Sequence, residues 1–297
     1  MSYKLKQSKL MLVLSMFIFG TIGIFRKYIL MPSSALAMVR GFIGAFFLLI
    51  LFRAKGGKLS WKAIQNNLLF LLISGALLGF NWILLFEAYQ YTSVATATLC
   101  YYMAPIFVIL ASPIILKETL TRKKVICVAV SLVGMMMVSG IFETEFTGIL
   151  EFKGILLGLG AAVFYASIII LNKKIKDIAV YDKTIMQLVT AAIVLLQYVL
   201  LTENLPELKF SPVLIIMLFI VGILHTGVAY ALYFRSIENL NAQTVALFSY
   251  IDPIVAILLS AIFLHEAMGP LEIIGTILVL GATLASELSP KRFGSSG

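Results

Sequence analysis

Charged side chains are scarce in this sequence: Asp, Glu, Lys and Arg together make up 12% of its 297 residues, where soluble domains carry about 25%. That scarcity excludes an ordinary water-facing surface, because most residues of a soluble domain must still meet solvent. Cysteine is nearly missing too. Cys100 and Cys127 are the only two, and both lie inside apolar runs, which excludes a disulfide framework or a Cys-x-x-Cys metal site and leaves buried free thiols. There are two histidines, so no metal centre is expected. The sequence lacks His-Glu-x-x-His, Gly-x-Ser-x-Gly, a Walker loop and Gly-x-Gly-x-x-Gly. His265-Glu266 has no second His, and Lys117-Glu118 stands in the matching place of the other half. No catalytic residue and no cofactor are therefore expected.

Apolar residues fill the space that charge leaves. They make up 61% of the chain, with a mean hydropathy of +1.04. A bilayer core takes roughly 20 apolar residues per helix, and by that rule spans are predicted at 8–30, 34–53, 66–91, 95–116, 122–141, 152–173, 182–202, 211–236, 242–264 and 269–288. Barrel strands would be shorter and alternate in polarity. Little chain is left for a soluble catalytic domain. The net charge of +9 would suggest nucleic acid in a soluble protein, but here the charges sit in the gaps between spans, as topology signals facing anionic lipid. With the N-terminus inside, eighteen Lys and Arg fall on the inner side. Four, namely Arg26, Lys27, Lys153 and Lys209, fall outside, and Arg40 lies within a span. This split predicts cytoplasmic N- and C-termini. The basic, apolar start (Lys4, Lys6, Lys9, then Leu10 to Phe25) lacks a small-x-small cleavage site and reads as a retained first helix. Residues 291–297 read as a tail, a cloning remnant.

Shifted by 148 residues, the chain meets itself. Gly79 falls on Gly227, Thr96 on Thr244, Tyr102 on Tyr250, Pro105 on Pro253, Ser112 on Ser260 and Glu118 on Glu266, within 16 identities over the 54 positions from Gly79 to Leu132. Apolar composition alone does not pair Tyr-x-x-Pro and a following Glu. Each half then holds five spans. Because five is odd, the second half enters from the opposite side, giving an inverted repeat with a binding site expected at the midplane between halves. The predicted fold is an all-α membrane protein of ten transmembrane helices in two inverted five-helix repeats.

Tyr102-Met103-Ala104-Pro105 with Leu116-Lys117-Glu118, and Tyr250-Ile251-Asp252-Pro253 with Leu264-His265-Glu266, together with Arg40 in the second span, resemble the EamA-type branch of the drug/metabolite transporter superfamily. The resemblance covers essentially the whole chain, as repeats at 1–145 and 146–290. It implies a central cavity lined by spans 1–4 and 6–9, with spans 5 and 10 peripheral. It leaves the substrate open, since members export amino acids or drugs, import metabolites or exchange sugar phosphates. Asp252 departs from the more familiar Glu before the proline.

Polar groups at membrane depth are costly and so are candidates for function. Those shared by both halves serve the common fold, and those present in one half serve an asymmetric solute. Pro105 and Pro253 each remove a backbone donor; they form either a kink that flexes in gating or a static bend. Asp252, opposite Ala104, either binds an amino or cationic group or a coupling proton, or is satisfied by backbone near the proline. Tyr101, Tyr102, Ser249 and Tyr250 lie at similar depth, and Tyr165 stands in the middle of span 6. His225, opposite Leu77, allows proton handling, though a lone His is more often a hydrogen-bonded structural residue. Asn81 and Trp82, opposite Ala229 and Tyr230, offer an amide and an aromatic wall; packing is the alternative. Arg40 can grip a carboxylate or phosphate or pair with carbonyls, with Gln187 as its approximate counterpart. Glu118 and Glu266 read as structural caps of helix N-termini. Gly154-x-x-x-Gly158 suggests close helix approach, within or between subunits.

The expected function is a secondary-active, alternating-access carrier of small metabolites, an exporter of amino acids or similar amphipathic compounds. An importer or exchanger of a small organic cation or nucleobase-like metabolite is the alternative. A membrane-embedded enzyme or a channel is disfavoured. The expected partners are a small-molecule substrate, the lipid bilayer and protons, with no nucleic acid, in a monomer or homodimer of the cytoplasmic membrane.

Overall fold

The computed structural model describes residues 3–26, 29–92, 94–138, 141, 149–203, 211–263 and 269–287. Every regular element among them is helical. In chain order the helices are Tyr3–Phe25 (α1), Ser33–Ala54 (α2), Trp61–Tyr91 (α3), Thr96–Ile115 (α4), Arg122–Val138 (α5), Ile149–Lys174 (α6), Val180–Thr202 (α7), Pro212–Ile237 (α8), Ala242–Phe263 (α9) and Pro270–Glu287 (α10). Eight of them, α1–α4 and α6–α9, are long and apolar enough to cross a membrane. The other two are shorter, and α5 opens on Arg122-Lys123-Lys124. Among the described residues, eight helices thus meet the length and apolarity of a span. Large apolar side chains cover the flanks, with Ile114 81% and Leu284 68% exposed, a surface that lipid satisfies and water does not.

Hydrogen bonds sort the connections onto two ends of the bundle. At the lysine-rich end Asn239 donates to Ser8, the Ser60 N–H to Asp182, Asn67 to the Lys176 carbonyl, and the Ala242 N–H to Glu118. At the other end Ser34 donates to Glu203, and Thr92 to Glu151. The N-terminal part of α1 (Ser8) is at the lysine-rich end, and that of α6 (Glu151) is at the opposite one. The first helices of the two halves therefore run in opposite directions, which fits an inverted repeat.

The packing pattern survives exchange of the halves. α3 packs on α6 as α8 packs on α1, α3 on α7 as α8 on α2, and α4 on α6 as α9 on α1, while α2–α7, α4–α9 and α5–α10 pair across the axis. Apolar burial does not drive helix association in lipid, so close contact of small residues must. Gly79 presses against the Ala191 carbonyl and Val194 of α7, and its counterpart Gly227 against Gly44 and Phe47 of α2. A Cβ at Gly158 would stand 2.9 Å from the Cβ of Cys100, so the Gly154-x-x-x-Gly158 face packs within the chain.

Several boundaries differ from the hydropathy reading. α1 begins at Tyr3 rather than residue 8, since Lys4, Lys6 and Lys9 have apolar stems long enough to lift their charges out of lipid. α3 begins at Trp61 rather than 66, capped by Ser60, whose side chain accepts from the Ala63 N–H. Within α8, Val221–Val228 is π-helical, which hydropathy cannot signal. α4 and α9 are broken rather than merely bent. Glu266, the boundary at residues 145 and 146, and the tail at 291–297 lie outside the described residues.

Candidate functional site

Two helix breaks open the space that the polar groups line. α4 comprises Val94–Tyr101 and Ala104–Ile115, and α9 comprises Ala242–Phe248 and Ile251–Phe263. Pro105 and Pro253 stand just inside each second segment, where a missing N–H costs least, and the residue before a proline resists the helical conformation. The chain tightens as it crosses each break: the Met103 N–H reaches the Cys100 carbonyl and the Tyr250 N–H the Leu247 carbonyl. The breaks meet at the pseudo-twofold axis. Tyr102 and Tyr250 are repeat equivalents, their ring centroids are 6.3 Å apart, and the Tyr250 hydroxyl donates to the Tyr102 carbonyl at 3.0 Å.

Beside this crossing lies a small cavity lined by Tyr101, Tyr102, Pro105, Tyr165, Ser249 and Asp252, together with Ala104. Its volume of ≈ 20 Å³ is room for about one water. Tyr233 donates to the Tyr165 hydroxyl at 2.9 Å, and Tyr165 and Ser249 share a bond of 3.1 Å. Ser249 itself donates to the Val245 carbonyl. This chain of hydroxyls fixes the wall opposite Asp252. Among the described residues, no hydrogen bond or ion pair reaches the Asp252 carboxylate.

A second charge sits nearby. The Arg40 guanidinium lies 4.6 Å from the Trp82 ring centroid, and its buried Nε has no hydrogen-bond partner among the described residues. Trp82 meets Tyr230 edge to face at 5.9 Å, and Phe19 meets Tyr230 at 5.0 Å. Tyr101 and Tyr230 are electrostatic neighbours of both Arg40 and Asp252, so the two charges face one aromatic region without pairing. The repeat counterpart of Asp252, Ala104, is a buried apolar residue, and that of Arg40, Gln187, is buried and uncharged. Among the described residues no three His, Cys, Asp or Glu gather to hold a metal.

The EamA-like transporter family matches this chain at residues 7–140 and again at 152–286. The chain belongs to the EamA-like transporter family. The uncharacterized transporter YxxF of Bacillus subtilis (strain 168) is 30% identical over 268 residues, covering 90% of this chain and 85% of that protein. Protein PecM of Dickeya dadantii (strain 3937) is 24% identical, over 72% of each chain. A solved crystal structure superposes with a TM-score of 0.83 over 95% of this chain and 96% of that one, at 16% identity, a likeness that speaks for the fold alone. By family and relatives the chain is a multi-pass membrane transporter.

Within this EamA-family fold, the other candidate residues go elsewhere than the cavity. Asn81 is buried and donates to the Ala161 carbonyl at 2.6 Å, tying α3 to α6. Tyr250 is fully buried, with its hydroxyl engaged by the Tyr102 carbonyl. His225 is buried on the π-helical stretch of α8, its Nε2 2.7 Å from the Thr21 hydroxyl and its ring 4.9 Å from Phe25. Gln187 donates to Ser74 and Asn172 inside the α3–α6–α7 packing. Glu118 accepts from the Ala242 and Gln243 N–H groups at the start of α9. Sequence reasoning missed Tyr233, although its repeat counterpart is Leu85, so the one-half-only rule would have found it. It missed Thr21 because a hydroxyl near the end of a span draws no attention before its partner is known.

Proposed function

We propose that the chain is a secondary-active carrier of ten spans in two inverted five-helix repeats, 1–145 and 146–290, lodged in the cytoplasmic membrane with both termini inside. It exports amino acids or similar amphipathic metabolites by alternating access. The observation that carries this reading is the pair of charges, Asp252 and Arg40, set in one aromatic region between the halves and left without an ionic partner among the described residues. An unpaired ion at membrane depth is expensive, and a zwitterionic substrate would satisfy both: Arg40 would take its carboxylate, Asp252 its amino group, and the tyrosines and Trp82 its apolar body. The cavity is too small for such a solute in this conformation, so loading requires the halves to part.

A second reading, exchange of a small organic cation, is favoured by the tyrosine faces around Asp252. The test is reconstitution into liposomes with radiolabelled amino acids, nucleobases and quaternary amines. Counterflow of amino acids supports the first reading, and counterflow of quaternary amines alone supports the second. Conductance linear in voltage, or product formation without flux, would overturn both.

A further inference from the structure

The two halves differ most in how they close. A crevice of ≈ 490 Å³ opens between α3, α4 and α6, lined by Leu77, Phe107, Ala166, Ser167, Ile170 and, at its lysine-rich end, Lys174. It adjoins the Asp252 cavity: Phe107 lies two residues beyond Pro105, and Ala166 follows Tyr165. The repeat carries an equivalent space between α8, α9 and α1: Leu77 becomes His225 and Phe107 becomes Val255, and since Phe19-Gly20-Thr21-Ile22 of α1 matches Tyr165-Ala166-Ser167-Ile168 of α6, Ala166 becomes Gly20 and Ser167 becomes Thr21. There side chains and backbone meet instead. Phe19, which stands where Tyr165 stands in the other half, packs its ring against Tyr230 and Tyr233 at 5.0 and 6.2 Å. His225 is bonded to Thr21 at 2.7 Å and packed on Phe25. At Gly20 the backbones close in: a Cβ there would stand 2.6 Å from the Asp252 carbonyl oxygen and 2.7 Å from the Val255 Cβ. The matching residue of α6 is Ala166, whose side chain lines the crevice beside Phe107.

We propose that this difference is a gate. The crevice between α3, α4 and α6 is the open route to the chamber from the lysine-rich face, and Phe19, Gly20, Thr21, Phe25 and His225 form the closed gate on the opposite face. The gate rests on the carrier reading and adds which residues close which side. It follows from three independent pieces of geometry: ring packing at Phe19, backbone approach at Gly20 and a hydrogen bond between Thr21 and His225. The π-helical stretch belongs to the same device. Its wider turn carries His225 on the face of α8 that meets α1, while Thr226 donates back to the Val221 carbonyl. The crevice is apolar apart from Ser167 and the lysine, so it admits solutes with an apolar body and does not hold them.

The test needs no substrate. In a Cys100→Ser, Cys127→Ala background, Ser167→Cys and Val255→Cys are introduced singly, and a membrane-impermeant maleimide is applied to each face of oriented vesicles. Ser167→Cys should react from the lysine-rich face. Val255→Cys should react slowly from the opposite face. Thr21→Val, which removes the hydroxyl and keeps the shape, should speed reaction at Val255→Cys about fivefold, as expected when one net hydrogen bond leaves the closed side of a two-state equilibrium. Gly20→Ala should act in the same direction by separating the backbones. Fast labelling of Val255→Cys from the opposite face without these changes would overturn the gate, whether or not the variants fold. So would an unchanged rate in both variants at parental melting temperature. Because labelling is read without flux, failure of the gate and failure of the carrier reading are separate outcomes.

Discussion

The broken helices α4 and α9 are one device built twice, and they differ where chemistry would enter. Both break one turn before a proline, and both place a tyrosine at the axis. Yet Ala104 stands in one where Asp252 stands in the other, and Tyr102 presents only its ring and carbonyl to Tyr250, whose hydroxyl is engaged. Duplication preserved what shapes the chamber. Divergence placed a charge on one wall, with Arg40 answering from α2, whose counterpart on α7 is the uncharged Gln187. A site for a small asymmetric solute needs this, because a symmetric chamber would offer the same group to both of its ends.

Substitutions can break or sharpen the contrast between the two helices, and the largest effect is expected at the charge itself. Asp252→Asn keeps the size and removes the charge. Affinity for amine-bearing substrates, measured by isothermal titration or scintillation proximity, should fall about 10- to 100-fold, the loss of a charge-assisted contact of about 1.5–3 kcal/mol. An unchanged affinity for every substrate would mean that Asp252 is structural. Arg40→Gln should weaken substrates with a carboxylate about tenfold and leave cations without one nearly unaffected; equal losses for both would assign Arg40 to packing on Trp82. Glu118→Ala removes the acceptor from the start of α9, where Ala242 and Gln243 donate. Thermal unfolding in detergent should show a loss of about 0.5–2 kcal/mol with affinity unaltered. Tyr250→Phe should cost about 1 kcal/mol in the same assay, again with little change in affinity, whereas Tyr165→Phe should change affinity more than stability. A reversed pattern for these two tyrosines would make Tyr250 the lining residue and Tyr165 the structural one.

Much of the fold is written in the chain at low resolution. Apolar runs separated by lysine-bearing gaps mark the helices and their alternation, since lipid demands continuous apolar cover. The self-match of Gly79–Leu132 with Gly227–Leu280 marks the repeat. What hydropathy does not carry is the azimuth of each side chain. In a soluble helix a polar stripe shows which face is buried; in lipid both faces are apolar, so nothing in the identity of Asn81 says that it turns toward Ala161 rather than into the chamber. His225 is the same case: it bonds to Thr21 from a π-helical stretch whose Gly222 and Gly227 lie against α2, and no local pattern announces either contact. The prolines fix where α4 and α9 yield, but only the tertiary contact of Tyr102 with Tyr250 reveals a break rather than a bend. Asp252 and Arg40 were legible because charges are so rare in this chain that each one draws scrutiny.

The chamber, the gate and the repeat all depend on two five-helix bundles of opposite orientation. Ala54 and Thr202 are exposed and end the paired helices α2 and α7, and cysteines placed there one at a time, in a cysteine-free background, test it most directly. Impermeant maleimide should label Ala54→Cys from one face of sealed, oriented vesicles and Thr202→Cys from the other. Labelling of both from the same face would contradict the account.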